Sequence, residues 1–245
     1  MNYNPYAPPG APVAPDAIAV AVGAPQPWTA GEVIGVAWAK FRENVPILLG
    51  SYFLVAVLGA GTGQVHNIAR LAFHVPAQSG SSIGLALFGF LAGQCVAAFL
   101  QVGFLRMLLV TARGGQPTMA MLFSGADRFL PMLGCTLLIS LAIVLGLILL
   151  IVPGVIVALG LAFSTIYVVD TPMGPIEAMK ASWSATSGQK GEVFVLALYG
   201  CALGLVGALA CCVGIFATVP VYMLGTVVAY TRLSGRGTVP LGTDP

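Results

Sequence analysis

The sequence predicts an all-α integral membrane protein of about six transmembrane helices in three hairpins, each preceded by a short interfacial amphipathic helix. Three observations predict it. Of 245 residues, 58% are hydrophobic and 7% are charged, against roughly 25% charged in a soluble domain. Such a chain cannot coat a globule with charge, so lipid solvates much of its surface. Two apolar stretches, 129–169 and 192–231, are too long for one crossing and have to fold back. The charged residues, finally, fall almost entirely on one side of the topology that results.

Residues 1–27 are rich in Pro and Ala and hold no Lys or Arg. They lack the basic start of a signal peptide. Their prolines remove backbone donors and favour extended chain, so a disordered tail is expected. The membrane domain is expected over 28–234, and a short flexible tail over 235–245.

In WTAGEVIGVAWAKFREN, Thr29 and Glu32 have the spacing of a capping box. Ile34, Trp38, Phe41 and Val45 share one helical face, and Glu32, Arg42 and Glu43 lie opposite. The segment reads as an interfacial helix anchored by Trp38, Lys40 and Arg42. Pro46 ends or redirects it into a first span over 45–62. A loop is expected over 64–82. It carries His66 and His74, which lack the i, i+4 spacing of a helical zinc pair and read as solvated loop residues.

A second span is expected over 83–112, long enough that Arg106 near its end can snorkel to the headgroups. Gln94 and Gln101 are seven residues apart and share a face inside it. Amides in lipid need partners, so they mark either an interhelical contact or a polar path. Gly89 and Gly93 favour close helix approach. A loop with a short helix from about Thr118 follows.

The run 129–169 has 41 residues and would be about 61 Å long as one helix, twice the hydrocarbon thickness. Pro153-Gly154 is its strongest breaker pair and the expected hairpin turn. Small residues Gly154, Ala158 and Ala162 make a packing seam.

A second interfacial helix is expected within 170–190. Ile176, Met179, Trp183 and Thr186 share one face, Glu177, Lys180 and Ser184 the other, and Pro175 suits its first turn. Trp183 and Lys180 would anchor it. The last hairpin is expected to turn at Cys211–Gly214, with a seam at Gly200, Gly204 and Ala208. Glu32 precedes Trp38 by six residues and Glu177 precedes Trp183 by six, so the order of interfacial helix then hairpin recurs. The middle unit, from Thr118, has the order without the tryptophan.

With six spans, Lys40, Arg42, Arg106, Arg113, Arg128, Lys180, Lys190, Arg232 and Arg236 share one side, and Arg70 alone lies on the other. The positive-inside rule makes the first side, with both termini, cytoplasmic. The five cysteines lie in apolar runs without ligand spacing, so they read as small packing residues.

The run IVPGVIVALGLAF, then YVVD and GPIEAMKASW, a Gly/Lys loop and a last apolar hairpin, resembles the membrane domain of the glycerophosphoryl diester phosphodiesterase family. Related stand-alone bacterial inner-membrane proteins share it. GEVIGVAWAKFREN and RGGQPTMAMLFSG resemble the same family, and the likeness spans residues 29–234. In fused members the catalytic domain is a separate soluble barrel, which needs roughly 250 residues of its own. The resemblance therefore implies a stand-alone inner-membrane member without that chemistry, and carries no catalytic residues over.

The function expected is non-enzymatic, a scaffold or regulator at the membrane, with no cofactor or metal. Its partners would be membrane lipids, and a protein or second copy through the small-residue helix faces. A net charge of +2 gives nucleic acid no purchase. The competing expectation is a small-molecule or lipid transporter or channel with a path near Gln94 and Gln101. The apolar segments hold no Asp, Glu or Lys at mid-span, where an ion-coupled pump would carry one.

Overall fold

Thr29 starts the first helix by accepting the Glu32 N–H on its hydroxyl. The computed structural model describes residues 25–72, 80–209 and 213–236, with side chains described except at 60–72, 80–92 and 213. The expectations for residues 1–24 and 237–245, for His74 and for Cys211 and Cys212 lie outside these residues. Among the described residues every regular element is helical.

Helix α1 (Ala30–Glu43) buries a stripe of Ala30, Val33, Ala37 and Phe41. The chain then turns through 97° at Asn44, just before Pro46, into α2 (Val45–Ala72). Asn44 closes α1 by donating from its side chain to the Lys40 carbonyl. Helix α3 (Gly80–Ala112) follows, then two 3₁₀ turns, Met119–Phe123 and Gly125–Asp127. Helices α4 (Phe129–Leu149), α5 (Ile151–Gly160), α6 (Ser164–Asp170) and α7 (Pro175–Thr186) come next. The chain ends in α8 (Lys190–Leu209) and α9 (Val213–Leu233).

Among the described residues, five helical stretches are long and apolar enough to cross a membrane: Gly93–Ala112, α4, α5 with α6, α8, and Gly214–Leu233. The bent pair α1–α2 makes up to a sixth. Helices α3 and α9 are central. Val102, Phe104, Met107 and Leu108 of α3 and Leu224, Val227 and Tyr230 of α9 are fully buried. Helices α4 and α8 are peripheral and expose Leu141, Ile148, Leu198 and Leu205. That inversion of the usual soluble surface is what a lipid solvent selects. The most extensive packing joins α2 to α3, α4 to α5, α8 to α9, and α1 to α9.

Several sequence expectations change. The loop over 64–82 is largely helix, because α2 runs to Ala72 and α3 starts at Gly80. No Gly or Pro interrupts 64–72, so nothing in that stretch stops the helix. The turn of the 129–169 run falls at Leu150, in extended conformation, one turn before Pro153-Gly154. Pro153 sits in the first turn of α5, where its missing N–H costs no intrahelical bond. Gly154 instead lets α5 close onto α4: a Cβ there would press on Leu147, and one at Gly146 would press on Gly154.

The middle amphipathic helix is replaced by the two 3₁₀ turns, which Leu122 pins under α3. The seam of α8 uses Gly200, against Tyr222, and Gly207, against Thr218, while Gly204 meets nothing. In α5–α6, Ala162 is exposed and Gly160 takes its place in the seam.

Candidate functional site

Charged residues gather where the end of α3, the end of α6 and the end of α9 meet. Asp170 closes α6 and its side chain is 4% exposed. Its Oδ1 accepts from Arg113 Nη2 at 2.6 Å, and Arg113 is 8% exposed. Its Oδ2 accepts from the Tyr230 hydroxyl at 2.8 Å, with Arg236 Nη1 at 3.8 Å. Arg113 Nε donates to the Arg236 carbonyl. These donors offset the cost of burying the carboxylate. Tyr230 is held edge-on to Tyr167, centroids 4.8 Å apart.

The same end of the bundle carries α1. Arg232 Nη1 reaches Glu32 Oε1 at 2.6 Å, and the Ala30 N–H donates to Glu192 Oε2 at 2.9 Å. The Gln26 N–H donates to the Arg232 carbonyl. Helix α1 is thus tied to α8 and α9 by charge as well as by its apolar stripe.

Helix α7 lies across the break between α5 and α6. The break frees backbone groups at Gly160 and Phe163, and in an apolar bundle these need partners. Ser182 supplies both: its hydroxyl donates to the Gly160 carbonyl at 2.8 Å and accepts the Phe163 N–H at 3.2 Å. The ring of Trp183 packs on Gly160 so closely that a Cβ there would overlap it. Lys190 Nζ lies 3.9 Å from the centroid of the same ring, a cation–π contact.

The tryptophans predicted as anchors are neither buried nor free. Trp38 is 49% exposed and stacks on Phe41, and Trp183 is 40% exposed. The buried stripe of α1 is rotated from the predicted one toward Val33 and Ala37. In α7 the buried stripe is Ala178, Ser182 and Thr186, which leaves Ile176 and Trp183 outward. Lys40 and Arg42 occupy the last turn of α1, and Lys180 an exposed position of α7.

Gln94 and Gln101 lie on α3, half-buried, with no hydrogen-bond partner among the described residues. An apolar cavity of about 480 Å³ borders the same helix. It is lined by Leu58, Cys95, Val96, Phe99, Leu100, Phe123, Ala126 and Phe129, so neither glutamine enters it. Among the described residues no three His, Cys, Asp or Glu side chains come together as metal ligands.

No family model matches the chain. It is similar to uncharacterised proteins of Mycobacterium bovis and of two strains of Mycobacterium tuberculosis. Each is 28% identical over 243 residues, covering 89% of this chain and 74% of the relative. No solved structure matches.

Sequence reasoning grouped Arg113, Asp170 and Arg236 only as charges on one side. The convergence of the two arginines and Tyr230 on Asp170 needs the packing of α3, α6 and α9, which no spacing encodes. Ser182 reads as one polar residue of an amphipathic helix, and the break it serves carries no Pro to announce it.

Proposed function

We propose that this is a non-enzymatic multi-pass protein of a bacterial inner membrane, acting as a scaffold or regulator, and a stand-alone relative of the membrane domain of glycerophosphoryl diester phosphodiesterases. In this reading six spans form three hairpins, α1 and α7 lie in the cytoplasmic interface, and both termini are cytoplasmic. One observation carries it. Glu43 aside, each acidic side chain among the described residues is committed to a helix cap or a tie between elements. Glu32, Asp127, Asp170 and Glu192 hold elements together, and Glu177 caps its own helix at Gly174. A catalytic or ion-coupling carboxylate has to exchange partners during its cycle. These carboxylates are arranged to stay where they are.

The competing reading is a transporter or channel with a path near Gln94 and Gln101. The unpartnered amides favour it, and the apolar lining of the adjacent cavity does not. Reconstitution into vesicles separates the two. The scaffold reading predicts that small-solute flux and lipid scrambling stay at the level of empty vesicles, and that glycerophosphodiesters are not hydrolysed. It also predicts that a photo-crosslinker at Ile176, on the outward face of α7, yields a discrete protein adduct in cells. Flux that falls in Gln94→Leu and Gln101→Leu would overturn it in favour of transport.

A further inference from the structure

The cavity beside α3 has an apolar lining, and one short segment that supplies part of it also carries charged residues next to it in the chain. Phe123, Ala126 and Phe129 line it. The residues between them, Ser124, Asp127 and Arg128, are polar. Two glycines make this possible: a Cβ on Gly103 would overlap the Leu122 backbone, and one on Gly125 the Phe99 carbonyl. The 3₁₀ turns therefore lie directly on α3, and Phe123 lines the cavity together with Val96 and Phe99. Arg106 holds the segment, donating to the Ser124 carbonyl and hydroxyl and pairing with Asp127 Oδ2 at 2.6 Å.

The charges here do not cancel. Burial works to raise the Asp127 pKa, but the hydrogen bond and charge of Arg106, with Arg128 beside it, outweigh that and hold it below the ordinary carboxylate value. Asp127 is thus a full anion, answered by Arg106. Arg128 is the more loosely paired of the two arginines, reaching the same carboxylate through Nε alone. Its Nε is 4.0 Å from Asp127 Oδ2, its side chain is a quarter exposed, and its guanidinium makes no hydrogen bond among the described residues. A guanidinium offers five N–H donors in a fork that matches a phosphate.

The depths also agree. Along α3, Phe99 and Cys95 lie seven and eleven residues before Arg106, roughly 10 and 16 Å toward the bilayer centre. With Arg106 at headgroup level, the cavity occupies the acyl-chain layer. Its about 480 Å³ falls in the range of small-ligand sites, roughly 300–1,000 Å³. Leu58 and Phe123 on its wall are exposed, so it opens sideways to lipid.

We propose that this cavity holds one acyl chain of an anionic phospholipid whose phosphate lies on Arg128. The site goes beyond the scaffold reading and does not depend on it, because it needs only the membrane placement of α3.

The test uses the full chain in phosphatidylcholine vesicles containing phosphatidylglycerol with a photoreactive group in its acyl chain. Adducts are mapped by mass spectrometry. Labelling per residue in 95–100 and 123–129 should exceed that on the lipid-facing surface of α8 by about fivefold, the preference one arginine near an anionic headgroup supplies. Phosphatidylcholine carrying the same group should give no such enrichment. Arg128→Gln should abolish the difference between the two lipids, and Ala126→Phe, which fills the cavity, should remove the enrichment itself. Uniform labelling over α8 and the cavity would overturn the proposal. So would equal enrichment with both lipids, which would mean an unselective tail crevice. These two comparisons use the unaltered protein and stand whether or not either variant folds.

Discussion

Ser182 is the side chain on which the broken α5–α6 crossing depends. Its hydroxyl satisfies a donor and an acceptor that the break at Gly160 and Phe163 exposes. Ser182→Ala removes both bonds at once: it leaves the buried Phe163 N–H unpaired, at about 1–3 kcal/mol, and leaves the Gly160 carbonyl only the longer bond from the Thr186 hydroxyl at 3.4 Å. Its melting temperature in detergent should fall clearly, whereas Ser184→Ala, an exposed neighbour on α7, should leave it unchanged. Asp170 is a second such residue. Asp170→Asn leaves Arg113 buried without its counter-charge, which costs about 3–5 kcal/mol. Because the loss is an uncompensated charge, adding Arg113→Met should recover much of it. A double variant as unstable as the sum of the singles would contradict that account.

At the scale of elements, the amphipathic helices were legible and their docking was not. Thr29 with Glu32 announces α1 and Pro175 announces α7. The faces they bury are set by small residues, Ala37 on α1 and Ala178 and Ser182 on α7, because only these allow close approach to α9 and to the α5–α6 break. A scale that rewards large apolar residues points to Trp38 and Trp183 instead, and both lie at the exposed edge. The hairpin turn was expected at Pro153-Gly154 because that is the strongest breaker pair in the run. Proline in a first helical turn is compatible with helix, so the chain breaks earlier, at Leu150. Pro153→Ala should therefore change stability little. Gly154→Leu should lower the melting temperature, by driving a side chain into Leu147.

The outward tryptophans carry a prediction of their own. A half-exposed indole on a membrane protein settles at the headgroup level. In variants retaining only Trp38 or only Trp183, bromolipids labelled near the headgroup should quench emission best. Equal, weak quenching at every depth would mean that protein shields the rings.

For the whole molecule, composition pointed to the class: 7% charge over 245 residues cannot coat a globule, and five described helical stretches are long and apolar enough to cross a membrane. The charge pattern further implied that nearly all ionic groups share one side. The described contacts tie Glu32 to Arg232, Glu192 to Ala30, and Asp170 to Arg113 and Arg236. None of these ties is encoded by sequence spacing, because each joins helices far apart in the chain. Together they make one charged end, and the account places that end at the cytoplasm. The measurement that tests this most directly is labelling with a membrane-impermeant maleimide, on intact cells stripped of their outer envelope. Single cysteines are placed at Ala77, in the connection between α2 and α3, and at Ser187, just after α7, in a background without the native cysteines. The account predicts that Ala77→Cys reacts from outside and that Ser187→Cys reacts only after permeabilisation. Labelling of Ser187→Cys in sealed cells, with Ala77→Cys protected, would contradict it.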